Sequence, residues 1–101
     1  MFNIYVIPEL PLVEELTTVL AEGGNVRIER IVSTGQVSDW YDQVETEYVA
    51  LLEGCAEIEY ENGEKTVLSK GDAVLIKPRA RHRVSYTSID PPCIWLCVFW
   101  R

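Results

Sequence analysis

The residues of this chain whose types and spacing could do chemistry are few: one histidine, His82, and the polar side chains Tyr41, Gln43 and Glu47. On a strand, residues two apart share a face. Tyr41 and Gln43 therefore point the same way, and Glu47 opens a row with Val49 and Leu51. A carboxylate at the head of an inward-facing row is either a mouth residue or a buried group with a partner, because a lone buried charge is costly. The partner this predicts is His82, which alternation places on one face with Val84 and Tyr86. Three arrangements stay open: a divalent metal between the two, a hydrogen-bonded Glu47–His82 pair without metal, or two unpaired groups at an exposed mouth. Tyr41 and Gln43 line the same pocket or simply fill it. A phenol with a free pKa near ~10 ligates well only where a cation stabilises its ionised form.

Charge narrows the partners. The net charge is −7, which argues against nucleic acid or an anionic membrane. Against that background Arg79, Arg81 and Arg83 form a local basic cluster. It reads either as a solvated hairpin whose arginine stems cover apolar surface or as a rim that draws an acidic molecule to a pocket. Cys55, Cys93 and Cys97 have no metal-ligand spacing and read as free thiols of a reducing cytoplasm. No apolar run is long enough to span a membrane and no basic leader is visible, so the expectation is a cytoplasmic protein.

The elements that must hold these groups are mostly short strands. Residues 2–7 form an edge strand or packed arm. Residues 11–22 read as a helix, with Leu12, Leu16, Val19 and Leu20 at helical spacing and Gly23-Gly24 as the stop. Residues 25–33 alternate, with Val26, Ile28 and Val32 opposed to Arg27 and Glu29, and predict a strand with one face in water. Further strands are predicted over 48–52, 55–61, 65–69, 73–76, 81–86 and 93–100. Asn62-Gly63 is the strongest hairpin signal and suits a type I′ turn. Regularly spaced short strands in a chain of this length make one domain, a sandwich or barrel over 25–101 with residues 1–24 as arm and helix. Trp95 and Trp100 fall on opposite faces of the last strand. One must look outward, which predicts a second subunit.

Two stretches resemble the motifs of the cupin superfamily. Gly35, five residues, Tyr41-Asp42-Gln43, three residues, Glu47, six residues and Gly54 follow the first motif's spacing, with both of its histidines replaced. Gly71 and His82 stand at the second motif's separation; Lys77-Pro78-Arg79 occupies its Pro-x-Gly place and Tyr86 its Asn place. The resemblance implies an all-β double-stranded β-helix, the cupin or jelly-roll barrel, here with one N-terminal α-helix. It implies that Tyr41, Gln43, Glu47 and His82 surround a divalent metal (Mn²⁺, Fe²⁺, Ni²⁺ or Zn²⁺), an oxygen-rich set that suits Mn²⁺ or Fe²⁺, with no organic cofactor. It further implies pairing as a homodimer. Two functions follow as expectations: a metal-dependent oxygenase, lyase or isomerase acting on a small polar or acidic molecule through Tyr41 and His82, or a non-enzymatic small-ligand module with a metal-free pocket. Fold alone does not choose between them.

Overall fold

The computed structural model describes residues 1–101 as eight strands and no helix. They are β1 (Leu16–Gly23), β2 (Val26–Ser33), β3 (Thr46–Glu53), β4 (Ala56–Tyr60), β5 (Lys65–Leu68), β6 (Ala73–Ile76), β7 (His82–Thr87) and β8 (Cys93–Trp100). All are paired antiparallel in two sheets, one ordered β1-β2-β8-β3-β6 and the other β5-β4-β7. The inner faces meet over a core of Val49, Leu51, Ala56, Ile58, Leu68, Ile76, Cys93, Trp95, Cys97 and Phe99.

The N-terminal helix expected over 11–22 is not formed. Residues from Leu16 onward are β1, hydrogen-bonded along β2. The run Thr17-Thr18-Val19 is β-branched and loses side-chain freedom in a helix. A single short helix also has little stability of its own, whereas a strand joins a ladder already built by β2 and β8. A register shift between Val19 and Ala21 disguises the strand period, which is why Leu16, Val19 and Leu20 mimic helical spacing. Residues 2–6 lie as an irregular arm across the outside of β2. Arg30 is buried beneath it, its guanidinium over the Phe2 ring at 4.6 Å and Nη1 donating to the Val6 carbonyl at 2.7 Å.

The two faces of β2 are reversed from expectation. Arg27, Glu29 and Ile31 face the interior, beside Phe99, Cys97 and Trp95 of β8. The apolar side, Val26, Ile28 and Val32, faces out. Alternation identifies two faces but not which is inner, and here the arm covers part of the outer one.

The turn at Asn62-Gly63 is also not type I′, which needs positive φ at both central residues. Only Gly63 has it, at 89°, and its N–H donates to the Tyr60 carbonyl at 2.9 Å. This is the three-residue loop in which a tight turn is followed by a left-handed glycine. The more constrained turn is at Gly54, where a Cβ would lie 2.7 Å from the Pro92 carbonyl oxygen and 2.9 Å from Cys93 Cα.

Candidate functional site

Glu47 and His82 come from opposite sheets and meet across the interior. Glu47 is the second residue of β3, flanked by Phe99 of β8 and Ile76 of β6. His82 opens β7, opposite Tyr60 of β4. They are 7% and 3% exposed, and Glu47 Oε1 lies 3.8 Å from His82 Nε2. The loop 34–45 is laid along the free edge of β7. Tyr41 exchanges backbone hydrogen bonds with His82 at 2.7 and 3.1 Å, and Ser38 N–H donates to the Val84 carbonyl at 2.9 Å. That bridge brings the Tyr41 ring centroid to 5.5 Å from the imidazole. It also places Gln43 so that its Nε2 donates to Glu47 Oε1 at 3.2 Å. Tyr41, Gln43, Glu47 and His82, distant in sequence, thus border one cavity of about 230 Å³. At ~30 Å³ per water in the liquid, that is the bulk of roughly eight waters.

The tautomer of His82 follows from its neighbours. Nδ1 lies 2.7 Å from the Ala80 carbonyl oxygen. A carbonyl only accepts, so Nδ1 carries the proton, and in the neutral ring Nε2 is an acceptor turned toward Glu47. Burial pushes the Glu47 carboxyl above the usual carboxylate range, with the Gln43 hydrogen bond and a charge on His82 pulling it back. Burial outweighs both because the group is far inside the sandwich. At 3.8 Å the two side chains face each other across the cavity without a hydrogen bond between them.

Several cavity residues escape sequence reasoning. Arg27, Glu29, Glu15 and Thr17 all line it. The first two were hidden by the choice of inner face on β2, the last two by the helical reading of β1. Arg27 is committed to neighbours, Nε to Glu29 Oε2 and Nη1 to Glu45 Oε2, both at 2.8 Å, with the guanidinium over the Phe99 ring at 4.4 Å. Glu15 accepts from the Ser33 hydroxyl at 3.2 Å, and burial together with the Glu29 charge raises its pKa. Cys97 also lines the cavity, its thiol raised well above the usual range by burial and by the nearby Glu47 carboxylate.

Arg79, Arg81 and Arg83 lie elsewhere. Arg79 pairs with Asp42 at 2.6 Å on the surface. Arg81 and Arg83 stand over the exposed Trp40 ring at 5.7 and 5.0 Å, and Arg83 also pairs with Glu59 on the outside of the smaller sheet. None lines the cavity. Tyr86 is likewise not beside His82. A register shift between Glu57 and Ile58 turns Tyr86 outward and Thr87 inward, whereas simple alternation put Tyr86 on the His82 face.

The donor set does not fit a divalent metal. No three histidine, cysteine, aspartate or glutamate side chains gather closely enough to hold one. Gln43 is engaged by its hydrogen bond to Glu47. Burial and the carboxylates of Glu15 and Glu47 push the Tyr41 phenol upward, away from the phenolate a metal would want. Cys97 is held as a neutral thiol.

A two-sheet jelly-roll sandwich with a polar cavity between its sheets, entered beside a Gly-bounded polar stretch, is the architecture of a cupin. The family model of the cupin domain matches residues 28–99, and the chain belongs to that family. Among solved structures, a putative mannose-6-phosphate isomerase from Ralstonia eutropha JMP134 matches with a TM-score of 0.92 at 33% identity, covering 99% of this chain and 96% of that one. A cupin superfamily protein from Desulfitobacterium hafniense DCB-2 matches at 0.80 and 17% identity, over 92% of this chain and 83% of that one. A polyketide cyclase from Streptomyces resistomycificus matches at 0.76 and 15% identity, over 87% and 66% respectively, a likeness of fold alone. No curated protein matches the chain.

Proposed function

We propose that this cupin binds a small polar molecule in its barrel without a resident metal, using the Glu47–His82 pair as the polar contact that recognises it. The observation that carries the reading is the facing of Glu47 Oε1 and His82 Nε2 at 3.8 Å in a cavity where no third histidine, cysteine, aspartate or glutamate joins them to hold a metal. The cavity walls fit such a role, since Ile31, Val49, Ile58, Ile76 and Phe99 supply apolar surface around a few convergent polar groups. Elemental analysis of protein purified without an affinity tag tests it. The expected result is no stoichiometric manganese, iron, nickel or zinc; a stoichiometric transition metal that persists through purification overturns it.

The same pair favours a second reading, acid–base catalysis. A histidine that is not a metal ligand is free to act as a base, and a carboxyl raised by burial keeps its proton to higher pH than an exposed one, which suits it to exchange a proton with a bound molecule. Proton transfer within a bound molecule, as in an isomerisation, is the reaction class such a pair suits, and the relative at 33% identity bears an isomerase name. Tyr41, beside His82, would then contact the reacting molecule. The free thiols agree with a cytoplasmic setting. The outer face of the larger sheet supports pairing with a second copy, as argued below.

A further inference from the structure

Resting on the metal-free reading of the barrel, we infer that its ligand is a compact organic cation, a molecule bearing an ammonium or similar donor-rich positive group. The cavity is bordered by three carboxylates, Glu15, Glu29 and Glu47, and by one guanidinium, Arg27. That guanidinium is not available to a ligand, because Glu29 and Glu45 already hold it. The cavity carboxylates have protein partners: Glu15 the Ser33 hydroxyl, Glu29 Arg27 Nε, and Glu47 both Gln43 Nε2 and the Cys97 thiol. The second oxygens of Glu15 and Glu29 have no protein donor.

His82 is an independent observation pointing the same way. It is 3% exposed, its Nδ1–H is spent on the Ala80 carbonyl, and Nε2 is left as an acceptor at the cavity with no hydrogen-bond donor from the protein. Such a nitrogen asks for a donor. The polar surface offered to a guest is thus mainly acceptors carrying negative charge, and an ammonium group supplies donors and no acceptor. The rings of Tyr41 and Trp95 line the same cavity, and an aromatic face attracts a cation. An anionic guest would meet Glu15 and Glu47 beside the Arg27-paired Glu29, and no free cation. The arginines that sequence reasoning offered to an acidic substrate are spent outside, on Asp42, Glu59 and Trp40.

Three matched probes test this: cyclohexylammonium, cyclohexanol and cyclohexanecarboxylate, each titrated at pH 8 and low salt into metal-stripped full-length protein. The indole N–H signal of Trp95 reports occupancy of the cavity. The ammonium should bind at least tenfold more tightly than the alcohol, and the carboxylate should not bind. Glu15→Gln and Glu47→Gln should each weaken the ammonium about tenfold and leave the alcohol unchanged within about threefold. An alcohol that binds as well as the ammonium, or a carboxylate that binds better, overturns the cation inference while leaving the metal-free pocket standing. Binding of any probe only after Mn²⁺, Fe²⁺, Ni²⁺ or Zn²⁺ is restored overturns the metal-free reading itself. Failure of all three probes to move the Trp95 signal overturns the inference as well.

Discussion

Glu47 is placed by its neighbours at a cost that pH exposes. Its folded pKa is raised above the unfolded value, chiefly by burial. The folded state therefore binds the proton more tightly than the unfolded state. Below the unfolded pKa both states are protonated and nothing is lost; as pH rises through the window up to the folded pKa, stability falls. Glu15 is raised in the same direction. Glu47→Gln keeps the shape and cannot ionise, so its melting temperature should fall less than that of the wild type between about pH 4.5 and pH 8. The difference should be largest at the alkaline end, read by thermal unfolding across that range. A mutant that loses more stability than the wild type on going alkaline would mean that Glu47 is stabilised as a carboxylate. At this scale the sequence was informative: Tyr41, Gln43, Glu47 and His82 were legible from parity and motif spacing. What spacing could not show was the direction of Gln43's amide or the commitment of Arg27, because both depend on contacts across strands far apart in the chain. Arg79 is a related case. It stands where the motif has glycine, and its φ is 62°, so the left-handed backbone is kept although the residue that adopts it without strain is absent.

At the scale of elements, strand alternation was legible and its inner side was not. Residues 73–76 and 93–100 form the strands that their apolar runs predict, whereas 16–23 do not form the predicted helix. The failure has one cause. Periodicity is local, and a shift of register, as at Val19/Ala21, or an arm laid across a sheet changes what a face meets without changing the pattern along the chain. The turns give a quantitative test. Gly63 has positive φ with open space around it, while Gly54 has the same φ and a Cβ position blocked by backbone. Gly63→Val should cost about 1–2 kcal/mol, the strain of a left-handed residue, or roughly 4–16 °C in a domain of this size. Gly54→Ala adds a clash to the strain and should cost about 3 kcal/mol or more. Equal losses in a denaturant titration, or a larger loss at Gly63, would place the critical turn at the wrong strand pair.

The whole molecule presents a surface without an evident reason to face water. Across the outside of the larger sheet, Ile28, Val98, Tyr48 and Leu75 form one row on β2, β8, β3 and β6. Tyr48 and Leu75 are 47% and 49% exposed, and Val26 and Trp100 continue the patch. Trp95 is buried, its indole N–H on the Ser33 hydroxyl, so Trp100 is the outward tryptophan. Ion pairs lie along the other sheet's outer face instead, among Glu57, Glu59, Lys65 and Arg83. We propose that a second copy of the chain covers the row. Two copies of a protein of net charge −7 repel, and a two-fold pairing through an uncharged apolar face brings together the surfaces where that repulsion is least. Sedimentation at micromolar concentration should show a dimer, and Tyr48→Glu or Trp100→Glu should yield monomers or aggregates. A monomeric wild type would refute the pairing.

Whether the barrel holds a metal is decided by calorimetric titration of the wild type and of Gln43→His with Zn²⁺ and Ni²⁺. Position 43 already reaches Glu47 Oε1, so a histidine there would add a third donor to Glu47 and His82. The wild type should show no binding at micromolar metal, and Gln43→His should bind measurably and roughly stoichiometrically. Stoichiometric binding by the wild type that is lost in Glu47→Ala and His82→Ala would contradict the metal-free reading, and would make the barrel a metal centre after all.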